Sequence, residues 1–308
     1  MVTFDDIQAA ATRIAPYVHR TPVMTSATLD EELGASIVFK CENLQKVGAF
    51  KARGAVNAVL LLDDDVAPRG VVTHSSGNHG QALAYAASIR KIPCTVVMPD
   101  TAPQVKVDAV RGYGAVVVFC AQSEREATAD RVRSELGATI VHPFEDPAVI
   151  AGQGTAMLEL AEQMGDLDLI VAPIGGGGLL SGTAIAAAAL LPNARVVGAE
   201  PELVDDAYRS LVSGFRQPRV PRPGTLADGL LTGIGTQAFQ ILSDLQVRVV
   251  TVTEDQIVSA SRFFVERMKL VVEPSGATSL AAVRALGVHG LRVGVIVSGG
   301  NTDFAWLT

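Results

Sequence analysis

The sequence predicts an α/β protein with two units, each a central, mostly parallel sheet flanked by helices. Three observations carry this. Between residues 71 and 141, short runs rich in Val and Ile alternate with longer helical stretches in a βαβα rhythm. Residues 169–191 hold no charge and are broken by Pro173, four consecutive glycines and Gly182. That stretch is long enough on paper to span a bilayer, but the breaks make it a buried strand, a glycine loop and an alanine-rich helix. The 308 residues are 48% hydrophobic and 5% aromatic, with Ala, Val and Gly in excess, which suits helices packed closely on a parallel sheet.

Taken in order, Thr3 and Asp6 mark a helix start, with an amphipathic pattern over 4–14. Pro16 and Pro22 then predict an extended arm. A strand at 36–40 leads to a helix over 51–62 and a polar link over 63–68. Strands at 71–73, 94–98, 115–119 and 139–141, with helices at 80–89, 102–111 and 124–136, make a compact parallel unit of about four strands. A small domain over 68–144 is therefore expected as an insertion in a larger one formed by 1–62 and 147–308, with PFEDP at 143–147 as the return hinge. Helices at 153–164 and 181–191 alternate with strands at 167–172 and 195–199, and 214–235 reads as irregular. A strand at 247–252 precedes a helix over 254–269, started by the Thr253/Gln256 capping box. A helix at 277–286 and a strand at 292–297 run into Ser298.

Composition removes several function classes. A net charge of -7 without a basic run argues against a nucleic-acid partner. Cys41, Cys94 and Cys120 have no CxxC spacing, so they read as small buried hydrophobes in a reducing cytosol, not a disulfide frame or zinc site. The first residues carry two aspartates and no apolar core, unlike a signal peptide, and the expected location is cytoplasmic.

Chemistry concentrates in four stretches. Lys51, in ENLQKVGAFKARGA, follows Gly48, Ala49 and Phe50. An amine desolvated in such surroundings loses its proton near neutral pH and becomes a nucleophile for carbonyls and an anchor for an aldehyde cofactor. The loop Gly175, Gly176, Gly177, Gly178 and Leu179, between a strand and a helix, lets backbone N–H groups converge on a phosphate. It matches neither G-x-G-x-x-G nor a Walker A loop. HSSGNHG at 74–80 crowds polar groups at the end of a parallel strand, where such folds bind ligands. It lacks the company for a metal site and the pattern of a serine-hydrolase elbow. SGGN at 298–301 alone reads as a turn. Glu200, Asp205 and Asp206 form either a solvated acidic loop or a hard-cation site.

Together and in this order, these stretches resemble the fold-type II pyridoxal-phosphate enzymes, the tryptophan synthase beta-like fold, in the branch of threonine/serine dehydratases and serine racemase. HPFEDPAVIAGQGT, ADGL, VTEDQI and ERMKLVVEPSGA extend the match over essentially the whole chain. The resemblance implies pyridoxal 5'-phosphate and a divalent cation (Mg, Mn or Ca) as cofactors. Lys51 would carry the covalent link and Phe50 would flank the ring. Asn78 would bond its phenolic oxygen, Gly175–Gly178 with Leu179 would cradle the phosphate, and Ser298 would face the pyridine nitrogen. Ser75, Ser76, His79 and Arg125 would receive the substrate, with Lys51 and Ser76 catalytic from opposite faces. Glu200, the Val204 carbonyl and Asp206 would hold the cation. A homodimer with a small amino-acid substrate is implied, without nucleic-acid or membrane partners.

Two departures stand out. Ala49 replaces the usual Ser before Phe-Lys, and Thr232-Gly233 replaces the racemase's Ser-Ser pair. The loss of a hydroxyl at Gly233 places dehydration first: L-threonine or L-serine to a 2-oxo acid and ammonia. The alternatives on the same scaffold are serine racemisation and threo-3-hydroxyaspartate dehydration. A non-catalytic cofactor-binding protein is opposed by the intact HSSGNHG, and a nicotinamide reductase by the missing fingerprint. With the chain ending just after the last predicted strand, no regulatory domain, and so no isoleucine feedback, is expected.

Overall fold

The computed structural model describes residues 1–75, 77–102, 104–221 and 224–307. Helix α1 (Phe4–Ile14) starts at the expected capping box: the Asp6 N–H donates to Thr3 Oγ1 and the Thr3 N–H to Asp6 Oδ2. Its Ile7, Ala10 and Ile14 face inward. The expected extended arm instead holds strand β1 (Val23–Thr25) and helix α2 (Ala27–Leu33), before β2 (Ser36–Cys41). β1 exists through its antiparallel pairing with β2, which three residues do not announce locally. Two tight turns then lead into α3 (Lys51–Leu60).

The alternation follows as β3 (Val71–His74), α4 (Asn78–Arg90), β4 (Cys94–Pro99), α5 (Gln104–Gly112), β5 (Val116–Cys120), α6 (Arg125–Leu136) and β6 (Thr139–Ile140). The four strands make one parallel sheet in the order β5-β4-β3-β6. The chain returns through α7 (Pro147–Met164), β7 (Leu169–Pro173), α8 (Gly178–Leu190), β8 (Arg195–Pro201) and α9 (Asp206–Ser213). It closes with α10 (Thr236–Asp244), β9 (Arg248–Val252), α11 (Glu254–Phe263), α12 (Pro274–Ala285) and β10 (Arg292–Val297). The second sheet runs β1-β2-β10-β7-β8-β9, parallel apart from β1.

The charge-free stretch is thus a strand, a loop and a 13-residue helix. Among the described residues, no helix is long and apolar enough to cross a membrane. The helix expected over 254–269 is α-helical to Phe263 and widens to a π turn over Phe264–Met268. Neither α9 nor α10 was expected.

Helices α3, α7 and α8 stack almost backbone to backbone. A Cβ on Gly152 would lie 2.5 Å from Gly54 Cα, and one on Gly182 2.5 Å from Gly154 N. No larger residue fits, so small residues here set the spacing of the layer under the site. On its other face, α3 sends Ala55, Val56 and Val59 into the core of the four-stranded sheet, against Val71, Leu83 and Val96. At its start, Arg53 is fully buried. Nε and Nη2 donate to Glu42 at 2.7 and 2.8 Å, and Nη1 and Nη2 to Glu159 at 2.7 and 2.8 Å. Burial opposes its charge, but the two carboxylates outweigh it and hold the guanidinium pKa above its usual value.

Candidate active site

β2, β10 and β7 are neighbours, so their carboxyl ends bring the Lys51 segment, Ser298 and the glycine loop together. The Phe50 N–H donates to the Ser298 carbonyl at 3.0 Å, and Ala49 forms an antiparallel bridge with Gly299. Ala49 is fully buried, with its Cβ 3.2 Å from where a Cβ of Gly299 would stand, so a small apolar residue fits there. β3 and β6 of the other sheet supply the HSSGNHG loop and the segment His142–Glu145.

Lys51 opens α3. Its Nζ donates to the Pro143 carbonyl at 3.0 Å and sits 5.0 Å from the Phe50 ring centroid. Although part of the side chain is accessible, burial around the amine pushes its pKa down to about 8, against the opposing pull of the Glu273 carboxylate.

Gly177 has φ +89° and caps α8, whose first residue is Gly178. Among the described residues, no acceptor meets the N–H groups of Gly176, Gly177, Gly178 and Leu179. Leu230 and Thr232 wall Gly175, Phe144 covers Gly176, and Ala238 stands behind Gly177. This is a cradle of free donors at a helix N-terminus, shaped for an anion.

In the second loop, the Gly77 N–H donates to Ser75 Oγ at 3.2 Å, while Ser76 lies outside the described residues. Asn78 is held on both sides: Nδ2 donates to Glu273 Oε1 at 2.9 Å, and Oδ1 accepts from Asn301 Nδ2 at 2.8 Å. The His79 side chain points away from the loop surface. Its ring is buried and Nε2 lies 3.1 Å from the Val141 carbonyl. Burial, then the Lys51 charge, lowers its pKa to about 3, so the imidazole is neutral and cannot pair with a carboxylate as a cation. His79 can still offer its backbone N–H, since Gly77 gives the first turn of α4 no side-chain cap.

Several site residues carried no signal in the sequence beyond their motifs. Buried Glu273 has its pKa raised to about 8 by desolvation and then by the Asp228 carboxylate. A carboxylate before Pro at a helix start was the available clue. His74, His142 and Phe144 stack edge-on, with centroids 5.8 and 4.6 Å apart. Burial lowers the pKa of both histidines, His142 to about 4. Arg125 opens α6, half-buried, within the electrostatic reach of His74.

A family model described as "Pyridoxal-phosphate dependent enzyme" matches residues 14–299. The chain belongs to that family. It is 50% identical to a serine racemase of Dictyostelium discoideum, over 99% of this chain and 96% of the relative. It is 49% identical to a beta-hydroxyaspartate dehydratase of Paracoccus denitrificans, over 98% and 96%. A solved threonine deaminase of T.th. superposes with a TM-score of 0.93 at 45% identity, covering 98% of this chain and 99% of that one. The fold-type II architecture and the dehydratase–racemase branch follow from these likenesses.

The cradle and amine fit the family's cofactor. The uncapped N–H groups around Gly176–Leu179 would hold its phosphate, Lys51 its aldehyde carbon, and Ser298 its ring nitrogen. The Ser298 hydroxyl makes no hydrogen bond among the described residues and is free for that role. When bound, pyridoxal phosphate supplies an electron sink for the charge left at Cα when its proton departs.

The acidic stretch is ordered, not a solvated loop. Glu200 Oε1 and Oε2 accept from the Ala207 and Tyr208 N–H groups at 2.9 and 2.8 Å, capping α9. Asp206 Oδ2 accepts from the Ile234 N–H at 2.7 Å. Desolvation raises both carboxyl pKa values, that of Glu200 to about 8. The described residues contain no group of three or more His, Cys, Asp or Glu placed to hold a metal. Among the described residues, Glu200 and Asp206 are buried carboxylates outside any ion pair, beside the buried Val204, and oxygen donors of this kind are what a hard cation would take.

Proposed function

We propose that this pyridoxal-phosphate enzyme removes the Cα proton of a small 3-hydroxy amino acid. It then either returns a proton on the opposite face or expels the β-hydroxyl. That is the serine racemase and hydroxyaspartate dehydratase reading, which relatives 50% and 49% identical support better than the threonine/serine dehydration placed first by the sequence. Threonine/serine dehydration stays as a second reading, supported by the threonine deaminase likeness.

The observation that carries the proposal is the Lys51 amine, its pKa near 8, held at the Pro143 carbonyl beside the anion cradle. In this reading Lys51 takes the Cα proton from one face. Ser76 supplies the opposite-face proton, the Asn78 and His79 N–H groups receive the α-carboxylate, and expulsion of the hydroxyl ends in a 2-oxo acid and ammonia. A cation at Glu200, the Val204 carbonyl and Asp206 stabilises the segment around Ile234. Residues 68–144 rock as a small domain against 1–62 and 147–308, in a cytoplasmic homodimer. Product analysis on L-serine, D-serine, L-threonine and threo-3-hydroxyaspartate with chiral detection tests the reading. Absence of both racemised serine and 2-oxo acid, or borohydride labelling of a residue other than Lys51, overturns it.

A further inference from the structure

Gln153, on α7, is fully buried and has no part in the chemistry proposed above. Its Oε1 accepts from the Gly54 N–H at 3.2 Å, while its Nε2 finds no acceptor among the described residues. A buried amide nitrogen without an acceptor is a cost, so the side chain is kept for what its oxygen does. In a regular α-helix the Gly54 N–H would donate to the Phe50 carbonyl. Here the Phe50 carbonyl accepts from Arg53 at 3.0 Å and the Ala49 carbonyl from Ala52 at 3.3 Å, so α3 opens with a turn of the tighter, three-residue kind. Phe50 gives that turn no side-chain cap. Gln153 takes up the Gly54 N–H that the tightening frees. The two helices leave no room for another arrangement: a Cβ on Gly54 would lie 2.5 Å from Gln153 Nε2 and 2.7 Å from the Val149 carbonyl. Lys51 is the first residue of that turn, and its amine donates to the Pro143 carbonyl on the segment leading into α7. Backbone and amine of Lys51 are thus both held from one stretch of chain.

We propose that Gln153 is a positioning residue for Lys51: its oxygen holds the opening turn of α3 tight and so sets the place from which the amine reaches the cofactor and the Cα proton. This rests on the role given to Lys51 above. Without that oxygen the Gly54 N–H falls back to the Phe50 carbonyl and the turn relaxes toward α-helical geometry. The two forms differ by about 20° and about 0.5 Å per residue. Over the steps from Gly54 back to Lys51 the lysine is turned and shifted by more than about 1 Å, a displacement that costs about 100-fold at a reacting centre. The rest of α3 does not absorb the change. Arg53 is bonded to Glu42 and Glu159, and Asn57 Nδ2 donates to the Ala148 carbonyl at 2.7 Å.

The test compares Gln153→Met, which fills the same space without an acceptor, with Gln153→Glu, whose buried carboxyl stays neutral and keeps one. One readout is kcat and KM of the holoenzyme on the amino acid the parent turns over fastest. The other is the rate at which Lys51 of the cofactor-free protein takes up pyridoxal phosphate, followed by absorbance and located by borohydride labelling. Gln153→Met is expected to lower kcat about 10–100-fold with KM within about threefold, and to slow uptake about tenfold. Gln153→Glu is expected to bring both rates back to within about threefold of the parent. A role in packing alone predicts the reverse order, since Met is the better filler of a buried site. If Gln153→Met does not fold, Gln153→Asn, whose oxygen is withdrawn by a methylene, takes its place with the same expectations. Rates in the folded variant within about threefold of the parent, or equal losses in it and in Gln153→Glu, overturn the inference. A parent with none of the proposed turnovers sinks the reaction proposed above, and the uptake rates alone then decide the role of Gln153.

Discussion

Replacing Gly176 with Ala puts the closure of the phosphate cradle to a quantitative test. The added methyl carbon would stand 2.2, 2.3 and 2.6 Å from Phe144 Cγ, Cδ1 and Cδ2. Carbon atoms rest at about 3.5–4.0 Å, so the overlap exceeds about 1 Å and the ring must leave its place. Phe144 is wedged edge-on to His142, with centroids 4.6 Å apart, and its carbonyl-side neighbour Glu145 is tied to α10. The ring therefore cannot swing freely, and an over-packing cost of about 1–3 kcal/mol is expected. At about 2–4 °C per kcal/mol, Tm falls by several degrees. Displacing Phe144 also disturbs the N–H groups that would hold the phosphate, so pyridoxal phosphate should bind about 10–100-fold more weakly by absorbance titration. The decisive arm is the cycle with Phe144→Ala. Removing the ring gives the methyl room, so the double mutant should recover about 1–3 kcal/mol relative to the sum of the single changes. Strictly additive losses, or wild-type loading in Gly176→Ala, would refute the reasoning.

Three further outcomes follow from the same geometry. The Lys51 pKa is lowered to about 8 from 10.5, so between these values the unfolded chain holds a proton that the folded one has lost. The stability of the cofactor-free protein should therefore rise with pH across that window, and Lys51→Met should flatten the rise in urea melts at pH 7.5 and 10. An equal slope in both proteins would contradict the assigned environment. Arg53→Leu leaves Glu42 and Glu159 without their shared cation and should cost about 3–5 kcal/mol in urea unfolding, whereas a loss below about 1 kcal/mol would mean the network relaxes. Magnesium at about 100 times its Kd should stabilise the chelator-treated protein by about 2.7 kcal/mol, and Glu200→Gln should abolish that gain. Identical melting with and without magnesium removes the cation from the account.

The elements legible in the sequence are those whose signals are local. α1 and α11 each begin with a capping box formed within four residues, and both starts were read correctly. The β-branched runs of the four-stranded sheet, the lysine among small apolar neighbours and the four glycines are likewise contiguous. α9 and α10 were missed because their caps come from outside the helix start, seven or eight residues earlier for α9 and about ninety for α10. Glu200, at the end of β8, accepts from the N–H groups of Ala207 and Tyr208. Glu145 accepts from Thr236 and Gln237, more than ninety residues on. Gly235 gives α10 no side-chain cap, and Asp205 and Asp206 at the start of α9 read equally as a loop or a cation site.

The sequence by itself determined the alternation of strand and helix, the run of glycines leading into one helix and the lysine opening another, since each depends on neighbours within one turn or one loop. Only the tertiary structure decided which side chains meet. Glu273 reaches Asn78 across 195 positions, Phe144 roofs Gly176, and the His79 ring turns into the core. Such encounters are selected when two sheets close on one another, and packing, rather than any periodicity along the chain, chooses the partners.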